Sequence, residues 1–266
     1  MKVLDRVMIT LLLILSLVLS ATVPILTIAS SKNFYQTQLE KTGIYVVDEE
    51  DSGKTSPPIG YINGDETKSA RFTQKQMDVI IHHIIDYMFT DQESFALTMD
   101  DVKINGTEQD NVSIFSEEAV SHMQDVKKVF SLVLNLSIFG GALLLVCVLY
   151  ICLRWNETAS LLLKYFLIFY GVFIGICLLF CGLCFLQSTT SDLTFTNLLW
   201  RNLHYVFFPM QGDKIAGSFF NDALTCILTL DFFLGAVKIV LTVMGVTFGV
   251  SFLVSLIAKI KSNSLE

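Results

Sequence analysis

Long apolar runs alternate with mixed stretches along this chain, and the runs have the length of a bilayer. Crossing about 30 Å of hydrocarbon takes roughly 20 apolar helical residues. Four segments qualify: residues 7–29, 130–153, 161–186 and 232–258. The last contains Lys238 near one end, from which a long side chain reaches the interface. The first run follows Lys2 and Arg6 and ends near the small residues Ala29 and Ser30, as a signal peptide would. At about 23 residues it exceeds a signal-peptide core of roughly 7–15, so a retained anchor is expected.

The mixed stretches carry shorter signals. From Phe34 to Ile62 the pattern is short and turn-rich, with Ile44-Tyr45-Val46-Val47 read as a strand, 48–58 as a loop and Asn63-Gly64 as a turn. Phe72-Thr73-x-x-Gln76-Met77 marks a helix start: Thr73 as N-cap, Gln76 closing a capping box and Phe72 stapled onto Met77. The helix predicted over 73–89 has a stripe of Met77, Ile80, Ile81, Ile84, Ile85 and Met88, with His82 and His83 flanking it in solvated or interfacial positions. Val102 and Ile104 precede Asn105-Gly106, and Val112 and Ile114 follow it; a small β-ribbon joining the two pairs is expected. A second helix starts at Ser116, with Glu117 and Glu118 in its first turn, and no breaker appears before Arg154. One continuous helix therefore carries His122 into the second span.

Basic residues orient the chain. Lys2 and Arg6, Arg154 in the turn Arg154-Trp155-Asn156-Glu157, and Lys259 with Lys261 all flank span ends on one side, which places both termini in the cytoplasm. The expected organisation is mainly α, a polytopic membrane protein with a small α+β extracytoplasmic domain between helices 1 and 2. Its parts are a first transmembrane helix (1–29), the α+β domain (30–129), helices 2 and 3 with a short cytoplasmic turn (130–186), an interface loop (187–231), and helix 4 with its tail (232–266). The net charge is −7, and the outer segment includes the acidic run Asp48-Glu49-Glu50-Asp51, read as a solvated loop. Such a balance argues against a nucleic-acid partner. All six cysteines fall in or beside membrane segments, so the outer domain is expected to fold without disulfides. Cys177, Cys181 and Cys184 share one helix face but lack a nearby His, which favours packing over metal or redox chemistry.

Histidine is the natural acid/base candidate near neutral pH, and two of the four stand at membrane boundaries. His122 has Asp125 one turn on, within reach for orienting the imidazole. His204 lies in the aromatic-rich stretch Leu198 to Pro209, with Trp200 and Tyr205 suited to the water–lipid boundary. The loop there has length to dip into the interface, with Phe207, Phe208, Phe219 and Phe220 touching acyl chains and Pro209 and Gly212 breaking the helix. No Gly-x-Ser-x-Gly elbow, His-Glu-x-x-His pair or phosphate-cradling glycine loop is present. Histidines without a Ser or Cys nucleophile fit direct acyl transfer, in which the acceptor amine attacks.

The string Phe115-Ser116-Glu117-Glu118-Ala119-Val120-Ser121-His122-Met123-Gln124-Asp125-Val126-Lys127 resembles the His-Met-x-Asp-Val-Lys signature of a bacterial four-helix membrane family that includes the lipoprotein intramolecular transacylases. Leu203-His204-Tyr205-Val206-Phe207-Phe208, Asp222 and Phe232-Phe233 look like its second landmark. The resemblance implies transfer of the sn-2 acyl chain of a diacylglyceryl lipoprotein to its N-terminal Cys amine, at the outer leaflet of the bacterial cytoplasmic membrane. It further implies acid/base roles for His122 and His204, orientation of His122 by Asp125, and a carbonyl or headgroup oxygen held by Lys127 or Arg201, with Asp222 in support. Diacylglyceryl-modified lipoprotein and membrane lipid are then the partners, and no metal or diffusible cofactor is needed. Two other readings are open: a membrane lipid-ester or thioester hydrolase, which would release a free lyso-lipid, and a non-catalytic partner-binding protein. The oligomeric state is not legible in the sequence.

Overall fold

The computed structural model describes residues 3–44, 59–190, 194–207 and 222–263. Tyr45 to Val47, the acidic run 48–51, and Phe208 to Phe220, on which several sequence expectations fall, lie outside the described residues, as do the side chains of Trp200, His204 and Phe207. The chain is mainly helical. In order it forms α1 (Val3–Ala29), α2 (Lys32–Lys41), β1 (Ala70–Arg71), α3 (Gln74–Phe89), β2 (Thr98–Met99), β3 (Val102–Ile104), β4 (Thr107–Gln109) and β5 (Val112–Ser113). Then follow α4 (Glu117–Leu153), α5 (Trp155–Ser188), α6 (Phe195–Phe207), α7 (Ala223–Ile227) and α8 (Leu230–Asn263). Among the described residues, four helices are long and apolar enough to cross a membrane: α1, α4, α5 and α8. They contain the four apolar runs read from the sequence. The turn expected over residues 154–157 is tighter than predicted, because Arg154 alone separates α4 from α5 and residues 155–157 already belong to the new helix.

The chain divides into two compact units. One comprises Met1–Pro24, Val133–Phe207 and Ile239–Glu266. Its interior is built from Ile9, Leu13, Ile151, Leu162, Phe166 and Tyr170, with Phe166 meeting the rings of Tyr170, Phe248 and Phe252 at 4.6, 5.1 and 5.7 Å. At one end, the buried Asp5 accepts hydrogen bonds from the Tyr150 hydroxyl (2.8 Å) and Arg154 Nε (3.0 Å), and Arg154 also pairs with Glu157. Outward faces are studded with large apolar side chains such as Phe139, Leu178 and Val246, as lipid-facing helices require.

The other unit comprises Ile25–Leu132 and Phe208–Lys238. Its core gathers α3 (Met77, Ile80, Ile81, Ile84 and Met88) with Phe72, Phe95, Ile104, Ile114 and Phe115. The predicted capping box is present: Thr73 Oγ1 accepts from Gln76 N (3.2 Å) and Gln76 Oε1 accepts from Thr73 N (2.9 Å). Helix α2 replaces part of the turn-rich stretch expected over 34–62. Ser31 caps its start, and its end is a Schellman motif in which left-handed Gly43 donates to Glu40 O and Ile44 N donates to Leu39 O. With only a few apolar residues in ten, its periodicity is weak; it is held instead by Phe232, whose ring lies 5.4 Å from Phe34 and 5.1 Å from Tyr35. Nearby packing is tight, since a Cβ on Gly235 would stand 2.5 Å from Gln38 Oε1.

The β-ribbon differs from expectation. Asn105 (φ 49°) and Gly106 (φ 88°) form a two-residue turn between β3 and β4, with Ile104 opposite Thr107, and β1 completes a three-stranded antiparallel sheet on the other side of β3. Val112 belongs to β5, which pairs with β2 instead. Strand β4 is Thr-Glu-Gln with every residue exposed, so it lacks the apolar alternation that reveals a strand. Asn63 and Gly64 also take positive φ, in the turn that brings Ile62 opposite Asp65.

Candidate active site

Helix α4 carries His122 on its second turn. The imidazole is buried, with Met123 beside it in the core and Ala119, one turn earlier, fully enclosed. From His122 the same helix runs on without interruption into the apolar stretch that begins at Phe130, about 12 Å along the axis. Burial and helical rigidity fix the height and direction of this histidine.

What holds the helix start is unusual. Ser116 is the N-cap, its hydroxyl accepting from Ala119 N at 3.1 Å. Ala119 occupies the place where a Glu or Gln would return a bond to the cap's own N–H. Asp222, 106 residues away and with no exposure, does this instead: its Oδ2 accepts from Ser116 N at 2.8 Å, and its Oδ1 accepts from Leu224 N at 2.7 Å as the N-cap of α7. One carboxylate thus ties together two helix starts, where negative charge also favours both dipoles.

Lys127, five residues beyond His122, donates to the carbonyls of Thr90 (2.8 Å) and Gln92 (2.7 Å) and lies 4.6 Å from the centre of the Tyr87 ring. Two of its three donors are therefore spent on the chain that leaves α3. Asp125 forms an ion pair with Lys128 at 2.8 Å. Of the remaining histidines, both expected in solvated or interfacial positions, His82 is exposed and His83 is half-buried. It packs against Phe95 and Phe115, with Nε2 on Phe95 O (2.9 Å) and Nδ1 facing the Gln92 amide (3.5 Å). A carbonyl opposite Nε2 requires the proton there, which leaves Nδ1 to accept.

His204 and Arg201 lie on α6, in the first unit, and Arg201 is exposed. Asn202 fastens this helix to the end of α5, donating to Gln187 Oε1 (3.2 Å) and Cys184 Sγ (3.4 Å). His122, Asp125, Lys127 and Asp222 belong to the second unit. All six cysteines are free. Residues 30–129 contain no cysteine, and Cys226, from the later segment, packs against the same core as α3. Burial pushes the Cys226 thiol up; N–H groups of Gly60 and Tyr61 oppose this and the Asp222 charge adds to it. A thiol held in that direction is a poor nucleophile at neutral pH.

Residues 7–215 match the family model described as lipoprotein intramolecular transacylase Lit. The chain belongs to the Lit family. The match takes in His122, Asp125, Lys127, Arg201 and His204 and stops short of Asp222 and Cys226. Comparison with curated proteins and with solved structures returns no match. For a Lit-family chain a transacylase role on lipoprotein follows at the level of the family.

Proposed function

We propose that this protein moves the sn-2 acyl chain of a diacylglyceryl lipoprotein onto the amine of the lipoprotein's N-terminal Cys. The reading is carried by one observation beyond the family match: the His of the His-Met-x-Asp-Val-Lys string is buried on a helix that continues unbroken into a membrane-length apolar run. The amine attacks the ester carbonyl, a C–N bond forms, the C–O bond to glycerol breaks, and the proton lost by nitrogen ends on the glyceryl oxygen. His122 and His204 carry that proton, one as base and one as acid. Asp125 orients His122, and Arg201 holds a carbonyl or headgroup oxygen. Lys127 and Asp222 support the reaction from the protein side, by holding the chain around His122 and the start of its helix. The reaction faces the outer leaflet of the bacterial cytoplasmic membrane, with residues 30–129 and 187–231 outside and both termini inside. Donor and acceptor share one molecule, so no diffusible cofactor takes part.

The test is to express the wild type, His122→Ala and His204→Ala in a bacterium that otherwise makes only diacylated lipoprotein, and to read the N-terminal lipopeptides by tandem mass spectrometry. Wild type is expected to shift one acyl chain from glycerol to the Cys amine, and each variant to lose roughly 10²-fold or more of that product. A free lyso-lipid without amine acylation would replace this reading with hydrolysis. Unchanged diacyl lipopeptide alongside well-inserted wild-type protein would end it.

A further inference from the structure

The C-terminal tip of α3 is tied to α4 at the level where α4 turns apolar. Phe89, the last residue of α3, leaves 37% of its surface exposed and sets its ring edge-to-face on Phe130, with centroids 6.1 Å apart and planes at 84°. Phe130 opens the apolar run of α4, and Leu132, two residues on, is 57% exposed. The next residues of the tip, Thr90 to Gln92, are held by Lys127 through two carbonyls. All these anchor points fall between Lys127 and Leu132, a span of about 7.5 Å along one helix. The depth of the tip relative to the start of the apolar run is therefore fixed by α4 itself.

We infer that the α3 tip is a membrane contact of this module beyond its spanning helices, with the Phe89 ring seated at the boundary between phospholipid headgroups and acyl chains. The exposed part of the Phe89 ring is apolar and gains by leaving water. An exposed apolar ring at that depth has acyl chains as its neighbours. Charge plays little part in the choice of lipid. Lys127 and Lys128 are offset by Asp125 on α4 and by Asp91 and Glu93 in the segment that follows α3, so zwitterionic phospholipid suffices. The contact is independent of the acyl-transfer reading, since it needs only that α4 spans the membrane.

Depth-dependent fluorescence quenching tests this directly. With Trp155 and Trp200 replaced by Phe, Phe89→Trp and, separately, Glu108→Trp are reconstituted into phosphatidylcholine vesicles. Bromine is carried either near the glycerol end of the acyl chain or near the bilayer midplane, and iodide is the aqueous quencher. Glu108 lies on the polar strand β4, every residue of which is exposed. Expected for Trp at 89 is bromolipid quenching about two-fold stronger from the shallow position, and iodide quenching about three-fold weaker than at 108. Equal iodide quenching at both positions without bromolipid quenching at 89 would overturn the inference. Adding Lys127→Met should release the tip and roughly halve the bromolipid quenching, while Lys127→Arg retains it. Quenching unchanged in Lys127→Met would remove Lys127 as the pin, and with it the fixed depth argued above.

Discussion

Helix α3 satisfies its first turn from within four consecutive residues, whereas α4, the helix that carries His122, takes the equivalent bond from a carboxylate 106 residues further along the chain. Both starts are chemically complete. They differ in what they make the fold depend on. A local box lets α3 form as soon as its own turn closes, while α4 can complete its cap only when the segment before the last span has come home. The helix bearing the candidate catalytic residue is thereby coupled to the far end of the sequence, and the structural helix beside it is not.

Removing Asp222 should break this contrast most severely. Asp222→Ala orphans two buried N–H donors, at a cost of about 2–6 kcal/mol, and hydrogen–deuterium exchange should rise at the starts of both α4 and α7. Exchange confined to α7 would show that α4 does not rely on the distant carboxylate. Smaller effects distinguish the two caps themselves. Thr73→Ala and Ser116→Ala should each cost about 1 kcal/mol; the first should loosen only residues 73–77, and the second should also lower acyl transfer through His122. Equal loss of activity in both would erase the distinction. The smallest effect concerns the core that both helices share. Burial raises the Tyr35 phenol well above its ordinary value, so that phenol is neutral in both the folded and the unfolded chain below about pH 10. Above it the unfolded chain ionises first and stability is lost as pH climbs. Thermal melts between about pH 9 and 11 should fall less steeply for Tyr35→Phe than for wild type.

Locality also explains what could be seen in the amino-acid sequence. The four apolar runs, the Thr73 box and the Asn63-Gly64 turn are each written within a window of a few residues to a few turns, and each is found in the structure. Helix α2 was hidden because what stabilises it is Phe232, not a stripe of its own. Strand β4 was hidden because it buries nothing. For the candidate site, His122 stood out by residue type and by its place on a continuous helix. That Lys127 spends its ammonium on Thr90 and Gln92, and that Asp222 caps Ser116, follow from contacts between distant parts of the chain that no spacing announces.

The unbroken run of α4 from His122 to Phe130 acts as a ruler that also keeps phase. Each residue inserted between them would lift the imidazole by about 1.5 Å and rotate it by about 100°. One added residue would aim the ring at a different wall, and four would restore its heading to within about 40° at the expense of about 6 Å in height. No length change preserves both quantities, so this interval is closed to insertion and deletion even where its individual side chains tolerate exchange.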